Sequence, residues 1–302
     1  PEAQAIVDEE ESVLREAATQ HASGVAISAS YNSPILQLEV GVTPLGFEDT
    51  EVTWRAAVSP RFSPNATAKL WAESKPVTDS VISYAGTRDP VTGQLWGQVM
   101  RTGAGLSFSY DREGAGVYAD AAYSRYDGTN VRRNRGVQVN LGGYMPFYRG
   151  DNSVLTGGVN VNYQSFDNNQ NFFTFGHGGY FSPQSFLSVS FPVRYSYDKD
   201  KLQIRGNAAP GYQSFNQDQV ALYPTDPAGQ DLLDSLKAQN SDVRSFYDSI
   251  SKTGFALSAD GSIYYRVSPG TRVGGEIGIN TFGTYDEFKS LIGIRQSLGG
   301  AK

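Results

Sequence analysis

From Ser23 onward apolar and polar side chains alternate one by one, a period of two that no helix explains. Leu36, Leu38, Val40 and Val42 alternate with Gln37, Glu39 and Gly41, and Val52, Trp54, Ala56 and Val58 with Thr53, Arg55, Ala57 and Ser59. The pattern recurs at Val137, Val139 and Leu141, at Leu155, Val159 and Val161, and over 187–197, 255–267 and 273–279. Successive side chains of a strand point to opposite faces, so each run has one apolar and one wet face. An antiparallel sheet on a soluble core would alternate too. Three features favour a membrane instead. Many runs cover about 10 residues, the length a tilted strand needs to cross a bilayer. Aromatics gather near their ends, at Tyr31, Tyr110, Tyr123, Tyr126, Phe147, Tyr148, Phe166, Tyr195, Tyr197 and Phe282, as in interfacial girdles. The polar phase mixes Arg, Asp, Glu, Asn and Gln, which suits a wet lumen. The expected fold is all-β, an antiparallel transmembrane β-barrel, with a soluble β-sandwich as the alternative.

Composition agrees. The mean hydropathy of the 302 residues is -0.38, and the longest unbroken apolar run is Val220 to Tyr223. A membrane-spanning helix needs about 20 apolar residues. A barrel hides its hydrophobicity in alternation and needs none. With no cysteine and only His21 and His177, thiolate or histidine-rich metal sites are not expected. No cofactor is implied. A net charge of -6 argues against a nucleic-acid partner. No secretory leader opens the chain, which reads as a mature or excised segment.

Two regions are expected. Residues 1–22 carry Ala3, Ile6, Val7, Leu14, Ala17 and Ala18 on one helical face and read as the end of an upstream helical element. Residues 23–302 form the barrel. Fourteen or fifteen strand segments stand out; the even-number preference of bacterial barrels makes this sixteen, with 66–85 and 170–181 the weakest. Tyr126-Asp127-Gly128 and the stretch from Arg149 to Asn152 suit hairpin turns. Residues 216–252 form a long loop with helical spacing, a candidate lid.

No catalytic motif is present: no Gly-x-Ser-x-Gly elbow, P-loop or His-Glu-x-x-His. His177, in a Gly-His-Gly-Gly stretch, is a residue of a tight loop before it is a general base. What remains is passage. The wet phase offers Arg55, Tyr118, Asp120, Gln138, Asn140, Asn160, Asn162, Gln164, Arg194, Arg205, Asp260, Tyr264, Arg266 and Glu276 as channel lining. Such a mixture of donors, acceptors and both charge signs suits a neutral saccharide. A polyanion would favour a basic lumen.

The stretch from Phe175 through Gly176, His177, Gly178, Gly179, Tyr180 and Phe181 to Gln184 resembles the C-terminal domain of the bacterial cellulose synthase operon protein C. Asp89-Pro90 with Gly93-Gln94-Leu95-Trp96-Gly97, Gly211-Tyr212-Gln213-Ser214 and Tyr223-Pro224 add to the resemblance. It implies a bacterial outer-membrane porin that exports nascent cellulose and is not an enzyme. It also implies that residues 1–22 end a periplasmic tetratricopeptide array, whose upstream repeats reach the inner-membrane synthase. The family's partners would be the glucan polymer and outer-membrane lipid. The alternatives are a general diffusion porin, a barrel enzyme using His177, and a structural anchor for the repeats. The tail after Leu298 lacks the usual aromatic closing residue, which leaves the closing strand undetermined.

Overall fold

The computed structural model describes residues 21–296 except 91 and 285. The expected helix over 1–22 therefore lies almost wholly outside the described residues.

One antiparallel sheet makes the wall. Its strands are β1 (Val25–Asn32), β2 (Leu36–Leu45), β3 (Val52–Val58), β4 (Ala66–Pro76), the two-residue β5 (Thr87–Arg88), β6 (Leu95–Arg112), β7 (Ala115–Thr129), β8 (Asn134–Arg149) and β9 (Ser153–Phe166). Then come β10 (Ser185–Ser190), β11 (Val193–Lys199), β12 (Leu202–Gln217), the two-residue β13 (Val220–Ala221) and β14 (Phe246–Tyr247), β15 (Ile250–Ser268), β16 (Thr271–Asn280) and β17 (Glu287–Gln296). Strands β13 and β14 pair only with each other. Two helices interrupt: α1 (Val81–Ala85), capped by Ser80, and α2 (Pro227–Gln239), capped by Asp226 with Pro227 in its first turn.

β10 and β11 are two halves of one stave, both paired with β9 and β12. They part at Phe191-Pro192, where proline has no N–H for the ladder and its carbonyl accepts from Gly158 N instead. Among the described residues the main path through the sheet has thirteen members, where sixteen staves were expected of the whole chain. The reason is length. β6 runs 18 residues, β12 16 and β15 19, well past the bilayer minimum of about 10 that guided the count. Three stretches, 77–94, 167–184 and 218–249, also leave the wall. Tyr126-Asp127-Gly128 is not a turn; it lies inside β7 and the connection follows at 130–133.

The connections sort by end. One end of the sheet has only short links, such as 113–114, 150–152 and 200–201. The other end has all three long stretches. Among the described residues β1 and β17 pair only with β2 and β16. An even number of antiparallel steps separates them, so they point the same way. Antiparallel closure between these edges requires an odd number of further strands.

The outer face is apolar: Leu38, Val40, Leu106, Val117, Leu141, Val159, Leu187, Ile263 and Ile277 are all exposed. In water this surface would be a liability; against acyl chains it is the preferred one. Tyr31, Tyr110, Tyr123, Phe147, Tyr148 and Tyr195 are exposed as well. Tyr126 and Phe166 are not girdle residues. Both are buried on the inner face, because they share the phase of Ser124 and Gln164. They pack with Val77, Ile82, Trp96, Val99, Val131 and Tyr180 into a core at the long-loop end.

Candidate functional site

Two structures define the interior: a polar wall and a filled mouth. In the wall the register sets Asp120 beside Asn140, Asn140 beside Asn162, and Gln138 beside Gln164. The Asn160 amide donates to Asn140 Oδ1 (2.7 Å) and to the Tyr118 hydroxyl (2.8 Å), while Gln164 donates to Asn162 Oδ1 (3.0 Å). Asn140 donates more weakly to Asp120 Oδ2 at 3.4 Å. These short amides cross-brace neighbouring strands and keep spare acceptors and donors for a solute.

Most of the charged members are paired. Arg55 Nη1 lies 2.7 Å from Glu73 Oε2, and Arg101 holds the other oxygen of the same carboxylate. Arg194 Nε donates to Asn207 Oδ1, and Asn207 Nδ2 donates to Asp260 Oδ2, each at 2.9 Å. Tyr264 donates to Glu276 Oε1 at 2.7 Å, with the Arg295 guanidinium 4.1 Å above the ring and bonded to the same Glu276 oxygen. Arg205 pairs with Asp198 at 3.2 Å, and Arg266 sits opposite Arg272. The wall thus carries both signs, mostly in compensated groups.

The mouth is filled by residues 77–85 and 167–184. In the first, the Ser80 and Ser83 side chains cap α1 reciprocally, and Ile82 is fully buried against Trp96 and Val99. In the second, Tyr180 stacks on Tyr126 with centroids 5.2 Å apart and accepts from the Asn134 amide at 3.2 Å. Gly176 and Gly179 adopt positive φ (97° and 65°), which lets the chain fold back tightly. A Cβ at Gly179 would meet Ser80 and Ile82, so glycine also permits the two segments to touch.

His177 has no exposed surface. Its Nε2 lies 3.0 Å from the carbonyl of Ala221 in β13. Burial holds its imidazole well below the usual value, at about 4, so it is neutral. It has no Ser–Asp partner set, and among the described residues no group of three or more His, Cys, Asp or Glu could hold a metal. His177 is a structural tie between the filled mouth and the β13–β14 hairpin.

The hairpin and the residues flanking it, Gln217, Asp218 and Leu222, are where 216–252 touches the mouth. Helix α2 has no buried residue, leaves Leu232 and Leu236 exposed, and joins this region through Gln230, which donates to Ser245 O, and Lys237, which lies over the Phe246 ring. Of the expected lid, the hairpin and its flanks brace the mouth, while α2 lies on the outside of the packing. The packing is also imperfect. Gln170 Nε2, His177 Nδ1, Gln217 Oε1 and Ser245 Oγ are buried without a hydrogen-bond partner in the protein. Each such atom costs about 1–3 kcal/mol.

Sequence reasoning missed Glu73, Arg101, Asp79 and the core around Trp96. Phase could have found the first two, since Glu73 and Arg101 alternate with outward Ala72 and Met100 in the way Arg55 does. Nothing local marks Asp79.

A polar-lined antiparallel sheet with an apolar outer face and a mouth packed by its own loops defines a transmembrane β-barrel. Comparison with known proteins narrows this. A family described as the cellulose synthase operon protein C C-terminus matches residues 2–299. The chain is 34% identical over 276 residues to cellulose synthase operon protein C of Pseudomonas fluorescens, covering 90% of this chain and 21% of that protein. It is 32% identical over 286 residues to the protein of that name from Xanthomonas axonopodis pv. citri (92% and 19%). The Escherichia coli K12 protein is 27% identical over 287 residues (93% and 24%). The chain belongs to this family, and it spans about a fifth of the length of these relatives. A bacterial polysaccharide outer membrane secretin shares the fold at a TM-score of 0.53 and 10% identity, over 89% of this chain and 76% of that one.

Proposed function

We propose that this chain is the outer-membrane channel through which a nascent neutral exopolysaccharide, most simply cellulose, leaves the periplasm for the cell surface. The observation that carries the reading is the pairing of an amide- and hydroxyl-rich inner wall with a mouth packed by the protein's own loops. Membership of the operon protein C family supports the polymer's identity. The lining residues from Arg55 to Glu276 act by hydrogen bonding a hydrated chain as it slides; none acts as a catalyst. The driving force is synthesis elsewhere, in an inner-membrane complex reached through repeats that precede this region.

Bacterial barrels place short turns at the periplasm and long loops at the surface, which puts the packed mouth at the cell-surface end of the channel.

The test uses the full-length protein in a cellulose-producing cell whose own copy has been removed. Wild type restores surface polysaccharide; replacing Asn140, Asn160 and Asn162 by leucine, in protein that still inserts, cuts it by at least fivefold. Undiminished export from the leucine variant overturns the reading.

A further inference from the structure

Where the filled mouth meets the wall, the structure leaves a cavity of about 470 Å³. It is bounded by Lys75, Val77 and Asp79 on one side and by Tyr180 and Phe181 on the other. Arg101, Gln138 and Gln164 form its wall. Its size falls within the range of small-ligand pockets.

The polar groups in it are unequally used. Gln164 donates to Asn162, but among the described residues Gln138, directly opposite Gln164 in the ladder, makes no side-chain hydrogen bond. Asp79 accepts from the Phe181 N–H at 3.3 Å through one oxygen, leaving the other unpaired. The surrounding segments crowd Asp79 and hold its carboxyl above the usual range, although it keeps access to the cavity. An unpaired primary amide and a carboxylate oxygen are the complementary donor and acceptor that vicinal hydroxyls need.

The aromatic side is rigid. Phe181 is half-buried and held edge-on by Phe186 and Phe215, with centroids 5.9 and 5.4 Å away. Such a fixed ring offers an apolar surface to the C–H side of a sugar.

Charge narrows the class of ligand. The charged lining residues are Lys75, Arg101 and Asp79. Both cations are already engaged by carboxylates next to the cavity, Arg101 by Glu73 and Lys75 by Glu39 at 3.6 Å. No uncompensated cluster of one sign is left to draw in a polyanion or a polycation.

We infer that this cavity is a binding subsite for a pyranose unit of an uncharged glycan, with Gln138 and Asp79 as its hydrogen-bonding groups and Phe181 as its stacking face. The inference rests on the channel reading above and deepens it. Its place at the contact of wall and filled mouth means that an arriving chain end competes with the contacts that keep the mouth closed.

The experiment is equilibrium binding of cellotetraose to the full chain, refolded in detergent micelles, by isothermal titration. Tetragalacturonate and chitosan tetramer are the charged comparators. Wild type binds cellotetraose at least fivefold more tightly than either. Gln138→Ala, which breaks no internal hydrogen bond, and Asp79→Ala each weaken it at least fivefold, while Asn32→Ala, elsewhere on the inner face, does not. Equal binding by wild type, Gln138→Ala and Asp79→Ala overturns the subsite, as does a preference for either charged tetramer or no binding by folded protein. Failure of the two readings is separable. Binding lost in Gln138→Ala without any export by wild type removes the channel and keeps the subsite. Export by wild type with binding indifferent to both substitutions does the reverse.

Discussion

The rings of Phe172 and Tyr247 lie face to face, centroids 3.7 Å apart and planes 3° from parallel. Phe172 belongs to the segment that fills the mouth and Tyr247 to β14, so this stack and the His177–Ala221 bond latch the closing segment to a hairpin outside the wall. Aromatic pairs contribute about 0.5–1.5 kcal/mol beyond their buried area. Tyr247→Ala should therefore raise the frequency of spontaneous opening by roughly two- to tenfold. Single-channel recordings read this directly, and an unchanged opening rate would remove the stack from the latch.

Acid should also open the mouth. His177 titrates near 6.5 when free and at about 4 when buried. Its folded value is depressed, so the unfolded or withdrawn segment binds the proton first. The contribution is complete above pH 6.5 and is lost as pH falls from 6.5 to 4. A shift of this size corresponds to roughly 3 kcal/mol. Open-state occupancy should climb across that window in wild type and stay flat in His177→Gln. A window unchanged in the variant would assign the effect to another group.

Glu73 is 3% exposed and holds two arginines. Glu73→Gln leaves both guanidiniums facing the lumen without their counter-charge. Both arginines are about a third exposed and so partly solvated, and the variant should lose only a little thermal stability. The more specific expectation is a shift of reversal potential towards anion selectivity under a salt gradient. A variant that stays as cation-permeable as wild type would show that this cluster does not face the conducting path.

Deleting α2 alone, with 226 and 240 joined by a short glycine linker, should leave current unchanged, because the helix buries none of its residues. Deleting 168–182 should produce a large steady conductance. The comparison separates brace from plug.

The alternation that placed the strands was legible because the membrane imposes it. Every outward residue from Leu38 to Ile277 must meet lipid, and the inner phase follows by parity. Tyr126 and Phe166 show the limit of reading composition without phase. Position near a strand end suggested a girdle, yet their parity with Ser124 and Gln164 turns them inward. Strand number was less legible, since lipid constrains only the middle of an 18-residue strand such as β6. The closed mouth was least legible. It depends on contacts between residues far apart in sequence, such as Tyr126 with Tyr180 or His177 with Ala221, and on two glycine-permitted folds, at Gly176 and Gly179, in a segment with no period at all. The stretch around His177 announced a tight backbone feature; only the fold shows what it closes.

The central claim is that the inner wall passes an extended neutral glucan once the mouth is open. Its most direct test is single-channel conductance in a planar bilayer of protein lacking 168–182, with cellohexaose or maltohexaose added to one side. The account predicts steady current that cellohexaose blocks at concentrations at least fivefold lower than maltohexaose. Large current indifferent to both sugars would contradict it and leave a general diffusion pore.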